Sequence, residues 1–306
     1  MVRVLRSTPS RTLNAVSTVL FPSPCRLCGT PLAELTTAPI CTSCWNHLQA
    51  QSGSLCSRCG EHLGVDFVPT PAAPETLCRV CRMAKPPFAL AVAWGVYQDE
   101  LRQLLHLLKY DRIEPIAPRL GALLAARVLE IANLPQSLLV VPVPLHRSRR
   151  RRRGFNQAEL LARGLARSLR RKHPQLSLQL ATEALERGRA TESQAGLSPR
   201  QRRANVRGAF FISGKRAQRV VAGRHILLVD DIYTTGATAR ACSQALMRAG
   251  AASVYVATVA RAQRYEALYG QVRSAFSDEV AAPASTPELP MHEDVAFWGT
   301  VTTQNQ

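Results

Sequence analysis

Two adjacent carboxylates, Asp230 and Asp231, are closely followed by Thr234, Thr235, Gly236, Ala237 and Thr238. Neighbouring carboxylates accept hydrogen bonds and suit the vicinal hydroxyls of a ribose. A hydroxyl-rich loop that opens a helix turns its backbone N–H groups toward an anion, and the helix dipole favours negative charge there. Gly236 lets the backbone come close to that anion. Together these residues describe a site for a ribose 5-phosphate. An apolar strand ending in Asp-Asp also has the form of the Mg²⁺-binding strand of a P-loop ATPase, but no G-x-x-x-x-G-K-[ST] occurs in the chain. A plain strand-turn-helix connection is the remaining alternative.

Eight of the nine cysteines form four C-x-x-C pairs: Cys25/Cys28, Cys41/Cys44, Cys56/Cys59 and Cys78/Cys81. A C-x-x-C turn aims two thiolates at one tetrahedral centre, and two such turns complete a closed Cys₄ zinc site. Disulfides are the competing reading, which the uniform spacing and the lack of a secretory signal disfavour. Serial pairing is the simplest, with Cys25, Cys28, Cys41 and Cys44 in one site and Cys56, Cys59, Cys78 and Cys81 in the other. A cross-braced pairing is also compatible with the spacing. With four sulfurs per site no coordination position stays open, so both zinc ions are expected to be structural. His47 and His62, between the pairs, are expected to face solvent.

Between residues 147 and 153 six of seven positions are arginine. Such a run can be a solvated patch or a nucleic-acid arm. It also follows a buried-strand pattern at 137–143 and precedes a helix with Leu161, Leu165 and Leu169 at i+4 spacing. In open α/β sheets that edge binds ligands, and a leaving pyrophosphate needs cations opposite the ribose. Only one or two of the six can reach inward; Arg147 and Arg153 are the candidates, with the others forming a basic rim.

The elements that must position these groups are legible from periodicity. Residues 226–229 are four consecutive apolar positions, the pattern of a strand buried on both faces, and a helix follows through Ala241, Ala245, Leu246 and Ala249. Further strands are expected at 89–97, 210–212 and 254–259, and helices at 100–110 and 116–132. Residues 183–207 are polar and poor in apolar anchors, as in a lid over a site, with a short basic helix begun by Ser198.

The chain has 306 residues, 46% of them hydrophobic, and a formal net charge of +18. Segment 147–219 holds 20 arginine or lysine residues against 4 glutamates, a net of +16, so the excess is local. A field of that kind attracts polyphosphates or nucleic acid, and single-stranded DNA is an expected partner. The first twenty residues show no signal-peptide core and no run of 18 apolar residues occurs, so no membrane span and a cytoplasmic location are expected. The expected organisation is an N-terminal extension (1–20), a double zinc ribbon (21–86), a larger α/β domain (87–276) and a disordered tail (277–306).

The stretch V-D-D-x-x-T-T-G-x-T at 229–238 resembles the phosphoribosyl pyrophosphate (PRPP) signature of type I phosphoribosyltransferases. With the four C-x-x-C pairs, Leu108-Lys-Tyr110, Val141-Pro-Val-Pro-Leu-His-Arg147, Arg153-Gly-Phe-Asn-Gln157, Thr191-x-x-Gln194-x-x-Leu197 and Arg203-x-Asn205, the chain resembles the ComF family. That resemblance implies an α/β type I phosphoribosyltransferase fold, a parallel sheet flanked by helices, preceded by a small Cys₄ double zinc ribbon. It also implies handling of single-stranded DNA during natural transformation, with DNA-uptake machinery as possible partners. If catalytic, such a domain displaces pyrophosphate at C1 of Mg²⁺-bound PRPP in favour of an acceptor the residues do not name. Asp230 and Asp231 would then hold the ribose hydroxyls, 234–238 the 5-phosphate, and Arg147 the pyrophosphate. Two other readings stay beside it: a single-stranded nucleic-acid-binding module, and a regulator that senses PRPP without turnover.

Overall fold

A computed structural model describes residues 24–32, 36–64, 75–189 and 199–263. The N-terminal extension, the C-terminal tail, Ser198 and the 191–197 motif lie outside the described residues. Among the described residues, five parallel strands form one sheet in the order β1-β7-β6-β2-β3. These are β1 (Leu90–Val96), β2 (Ser137–Pro142), β3 (Ser177–Leu180), β6 (His225–Tyr233) and β7 (Ser253–Arg261). A separate antiparallel pair, β4 (Glu186–Arg187) and β5 (Phe210–Phe211), stands outside it.

The helices are α1 (Thr42–His47), α2 (Arg79–Met83), α3 (Asp99–Lys109), α4 (Ala117–Leu129), α5 (Arg147–Arg153), α6 (Gln157–Lys172), α7 (Pro199–Val206), α8 (Gly214–Val221) and α9 (Ala237–Arg248). In α3, Leu101, Leu104, Leu105 and Leu108 form the buried face that their spacing predicts. Asp99 and Glu100 in its first turn and Lys109 in its last complement the helix dipole. In β6, successive residues point to opposite faces. Leu227 and Val229 enter a core with α3, α4 and α6, while Ile226 and Leu228 enter a second core with α9.

Helices α4 and α6 cross closely because glycines stand at the crossing. A Cβ on Gly121 would fall 2.7 Å from the Leu161 carbonyl, and one on Gly164 would fall 3.0 Å from Pro118 Cα. The cysteine-rich segment also packs tightly. Cys25, Cys44 and Trp45 join the core on the α4/α6 face, whereas Cys56, Cys59, Cys78 and Cys81 join the core on the α9 face. Between them the chain covers the open edge of β1, where the Ala91 N–H donates to Arg58 O (2.9 Å) and the Gln51 N–H to Trp94 O (2.7 Å). A strand edge left bare would invite pairing with another chain.

Periodicity missed the strands β3 and β4 and the helices α1, α2, α5 and α8. Strand β3 is four residues long with alternating partial exposure, too short a pattern to stand out. Helix α8 is short and polar. The arginine run is a helix, although identical side chains carry no period to read. The α5 helix starts at His146, whose side chain accepts from the Ser148 N–H, and stops at Gly154 with φ of +91°. Among the described residues, no helix is long and apolar enough to cross a membrane.

Candidate functional site

Strand β2 ends its pairing with β6 at Pro142–Val229, while β6 runs on beside β7 with Asp230 opposite Thr258. Asp230 and Asp231 therefore stand at the C-terminal edge of the sheet, where open α/β folds place ligands. Alternation sends the two carboxylates different ways. Asp231 points to the α3 side and forms an ion pair with Lys109 Nζ; the two side chains are 8% and 15% exposed. Asp230 faces the loop side and accepts from the Asp231 N–H at 2.9 Å.

These contacts separate the titrations of the two acids. Burial, and then the adjacent Asp231 charge, pushes the Asp230 carboxyl well above the ordinary range. Burial opposes ionisation of Asp231 too, but Lys109 and the hydrogen bond with Asp230 outweigh it and hold its pKa low. Burial likewise works against the Lys109 ammonium, and Asp231 more than compensates, so its pKa is raised. Asp231 and Lys109 form a charge pair, and of the two acids Asp230 has the higher proton affinity.

The loop after β6 turns through Gly236, φ +74°, into the first turn of α9. The Ala237 N–H donates to Thr235 Oγ1 at 3.4 Å. Asp230, Thr234, Gly236, Ala237, Thr238 and Thr258 line a narrow crevice. Of the residues expected at the ribose-phosphate site, Asp230, Thr234, Gly236, Ala237 and Thr238 share this crevice, whereas the Asp231 carboxylate turns to Lys109.

Of the two candidate arginines, Arg153 is half-buried beside this edge. Its guanidinium lies 5.9 Å from the Tyr110 ring centroid and donates to Gln157 Oε1. Burial lowers its pKa, and the nearby Asp231 opposes that effect. Arg147 is exposed and lines a neighbouring cleft of about 720 Å³ at the ends of β2 and β3, with Arg150, Glu183, Glu186, Arg187 and Arg216. The second inward arginine is Arg149, one helical turn before Arg153 and on the same face.

Lys109, named only within Leu108-Lys-Tyr110, and Arg149, named only within the arginine run, are the residues to which sequence reasoning gave no individual role. The signal for Lys109 was a lysine four positions after Leu105, on the buried face of α3. For Arg149 it was the i, i+4 relation to Arg153, which is visible only once the run is known to be helical.

The cysteines form two groups, paired serially, with all four sulfurs of each group within 4.8 Å of one another. Tetrahedral Zn–S bonds of about 2.3 Å place sulfurs about 3.8 Å apart. The Cys25–Cys44, Cys28–Cys41 and Cys59–Cys78 Sγ separations are 3.8, 3.7 and 3.7 Å. The donor sets therefore fit two closed tetrathiolate zinc sites. In each, the first knuckle closes on a left-handed glycine, with Gly29 N–H donating to Cys25 O (2.9 Å) and Gly60 N–H to Cys56 O (2.8 Å). His47 is exposed and neither His47 nor His62 joins a cluster; Cys242 is buried in α9, apart from both.

Comparison with known proteins matches two parts of the chain to known families. Residues 16–82 match the double zinc ribbon domain family, and residues 152–288 match the phosphoribosyl transferase domain family. The chain is 37% identical to the DNA utilization protein YhgH of Escherichia coli K12 over 238 residues, covering 77% of this chain and 95% of that one. It is 30% identical to competence protein F of Haemophilus influenzae, covering 73% and 90%. It is 27% identical to competence protein ComFC of Bacillus subtilis, covering 72% and 84%.

Proposed function

The chain belongs to the ComF/YhgH family, a double zinc ribbon followed by a phosphoribosyltransferase domain, and from that premise we propose that the edge of β6 binds Mg²⁺–PRPP. One observation carries the reading: the Asp230–Asp231 pair lies beside a left-handed Gly236 that opens helix α9. Asp230 accepts from the ribose hydroxyls, while Asp231, paired with Lys109, sets the negative charge behind it. Thr234, Thr235, Gly236, Ala237 and Thr238 surround the 5-phosphate with N–H and hydroxyl donors, at the positive end of the α9 dipole. Arg153 and Arg149 meet the pyrophosphate, and Arg147 stands at the outer rim.

Catalysis on this scaffold is the transfer of phosphoribose to an acceptor. The bond from C1 to the pyrophosphate oxygen breaks, the acceptor's lone pair forms the new bond at C1, and the pyrophosphate leaves with the bonding electrons. Positive charge develops on the ribose ring near the carboxylates, and negative charge on the leaving group near the α5 arginines. The protein's work is charge placement at positions that do not reorganise. The names of the relatives tie the family to competence and DNA utilization, and handling of single-stranded DNA is the proposed context.

The test is calorimetric titration with Mg²⁺–PRPP, using Asp230→Asn/Asp231→Asn as the control. Saturable binding in the wild type that is lost in the double variant is the expected result. No binding in the wild type would remove the reading.

A second reading rests on the outer face of α6. Arg163, Arg167 and Arg170 are exposed at i, i+4 and i+7 and line an open groove with Ala166 and Leu180. Single-stranded nucleic acid fits such a cationic track, and its affinity should fall steeply with salt. Association with an oligothymidylate that ignores salt concentration would exclude it.

A further inference from the structure

Arg261, the last residue of β7, is 1% exposed, and its guanidinium reaches in two directions: to the second cysteine cluster and to Tyr233, the last residue of β6. Its guanidinium donates to the carbonyl of Cys59 at 2.7 Å, approaches Cys59 Sγ at 3.6 Å, and forms an ion pair with buried Glu61. The same guanidinium lies 4.3 Å from the centroid of the Tyr233 ring. Tyr233 and Arg261 are register partners across β6 and β7, and the Ala262 N–H closes the pair by donating to Tyr233 O at 2.9 Å.

Tyr233 in turn is the floor of the loop. Its ring is 5% exposed and meets Phe88 edge-on at 6.4 Å. A Cβ placed on Gly236 would fall 2.2 Å from Tyr233 Oη, so the phenol fills the space directly under the left-handed turn that starts α9. The contacts therefore run unbroken from Cys59 to Arg261, to Tyr233 and to Gly236. A buried guanidinium needs a counter-charge and acceptors for its remaining N–H groups. Glu61 supplies the counter-charge, and Cys59 supplies a carbonyl acceptor and a sulfur contact. Among the described residues the first cluster shows no such link: Cys25 and Cys44 pack on the opposite face of the sheet.

We propose that Arg261 is a positioning residue through which the second zinc cluster, and not the first, holds the 234–238 loop in its anion-binding shape. This rests on the PRPP reading for the identity of the ligand, but not for the coupling itself. Emptying the second cluster removes the Cys59 and Glu61 partners from Arg261, uncovers Tyr233 and lets the Gly236 turn open. Linkage requires the reverse as well: a ligand that fixes the loop slows loss of zinc from the second cluster.

The test uses the full chain and reads amide hydrogen exchange at 233–240 together with zinc content, for wild type and Arg261→Lys. The lysine keeps a positive charge but cannot serve Cys59, Glu61 and the Tyr233 face at once. The expected result is two zinc ions retained, exchange in the loop faster by about tenfold or more, and Mg²⁺–PRPP affinity lower by a similar factor, with exchange in α4 unchanged. Unchanged loop exchange in a variant that holds both zinc ions would overturn the proposal.

If Arg261→Lys does not fold, the wild type answers the question. Zinc is withdrawn with a chromogenic chelator while exchange is followed in the knuckles at 25–44, in those at 56–83, and in the loop. Loop exchange that rises with opening of 56–83 supports the coupling; a loop that stays protected after those knuckles open refutes it. Failure of the wild type to bind Mg²⁺–PRPP would count against the ligand assignment alone, because loop exchange reports the coupling without ligand.

Discussion

Lys109, at the end of α3, forms a buried ion pair with Asp231, near the end of β6, and so joins a helix terminus to the sheet edge that carries the site. The pair leaves Asp230 as the carboxyl with a raised proton affinity. Its consequences are measurable.

Removing the cation strands a buried charge. Lys109→Met should destabilise the chain by about 3–5 kcal/mol, because the Asp231 carboxylate then lacks its counter-charge. Adding Asp231→Asn should restore much of that loss, a coupling that a double-mutant cycle in urea unfolding measures directly. Additive effects of the two substitutions would show that the pair contributes nothing specific.

The raised Asp230 pKa sets a pH dependence. Ribose hydroxyls donate, so the ionised carboxylate is the better partner. Mg²⁺–PRPP binding should therefore release a proton and tighten as pH rises through the Asp230 pKa, above the ordinary carboxylate range. In the free protein the sign is reversed: a folded-state pKa above the unfolded value stabilises at low pH, and that contribution is lost as pH rises through it. Calorimetry in two buffers of different ionisation enthalpy reads the released proton, which Asp230→Asn should abolish.

The faces of α5 should separate by function. Arg149→Ala and Arg153→Ala should each weaken Mg²⁺–PRPP binding by about tenfold or more, as loss of a charge-assisted contact does. Arg151→Ala and Arg152→Ala, on the exposed side, should leave it within about twofold and act instead on the salt dependence of oligonucleotide binding. Equal effects at all four positions would mean that α5 acts only as a diffuse field.

Zinc should be present at two ions per chain and be lost one cluster at a time. Cys28→Ser is expected to bind a single ion. Because Trp45 is buried within the first cluster, its fluorescence should shift to the red in that variant. The same shift in Cys78→Ser, whose cluster sits on the other face, would contradict the separate packing of the two sites.

Much of this was readable in the chain before any coordinates. The two cysteine sets, the β6 strand, the acidic pair and the threonine-glycine loop are local patterns. Their chemistry depends on residues a few positions apart, and such spacing survives into the fold unchanged. The leucine faces of α3 and α6 were legible for the same reason, since helical periodicity is a short-range property. Strand β3 and the helical state of the arginine run were not legible, one being too short and the other uniform.

What the order of amino acids settled was therefore an inventory: two metal knuckle pairs, an acidic strand end, a phosphate-type turn, a basic run and the α/β frame to carry them. Folding chose the partners. It set Lys109 against Asp231, turned Arg149 and Arg153 inward while leaving Arg147 at a cleft wall, and put the two cysteine clusters on opposite faces of the sheet. It also buried Arg261 between Cys59 and Tyr233. Each of these pairs a residue with another far along the chain, and a burial cost that only a distant counter-charge offsets leaves no local trace in sequence.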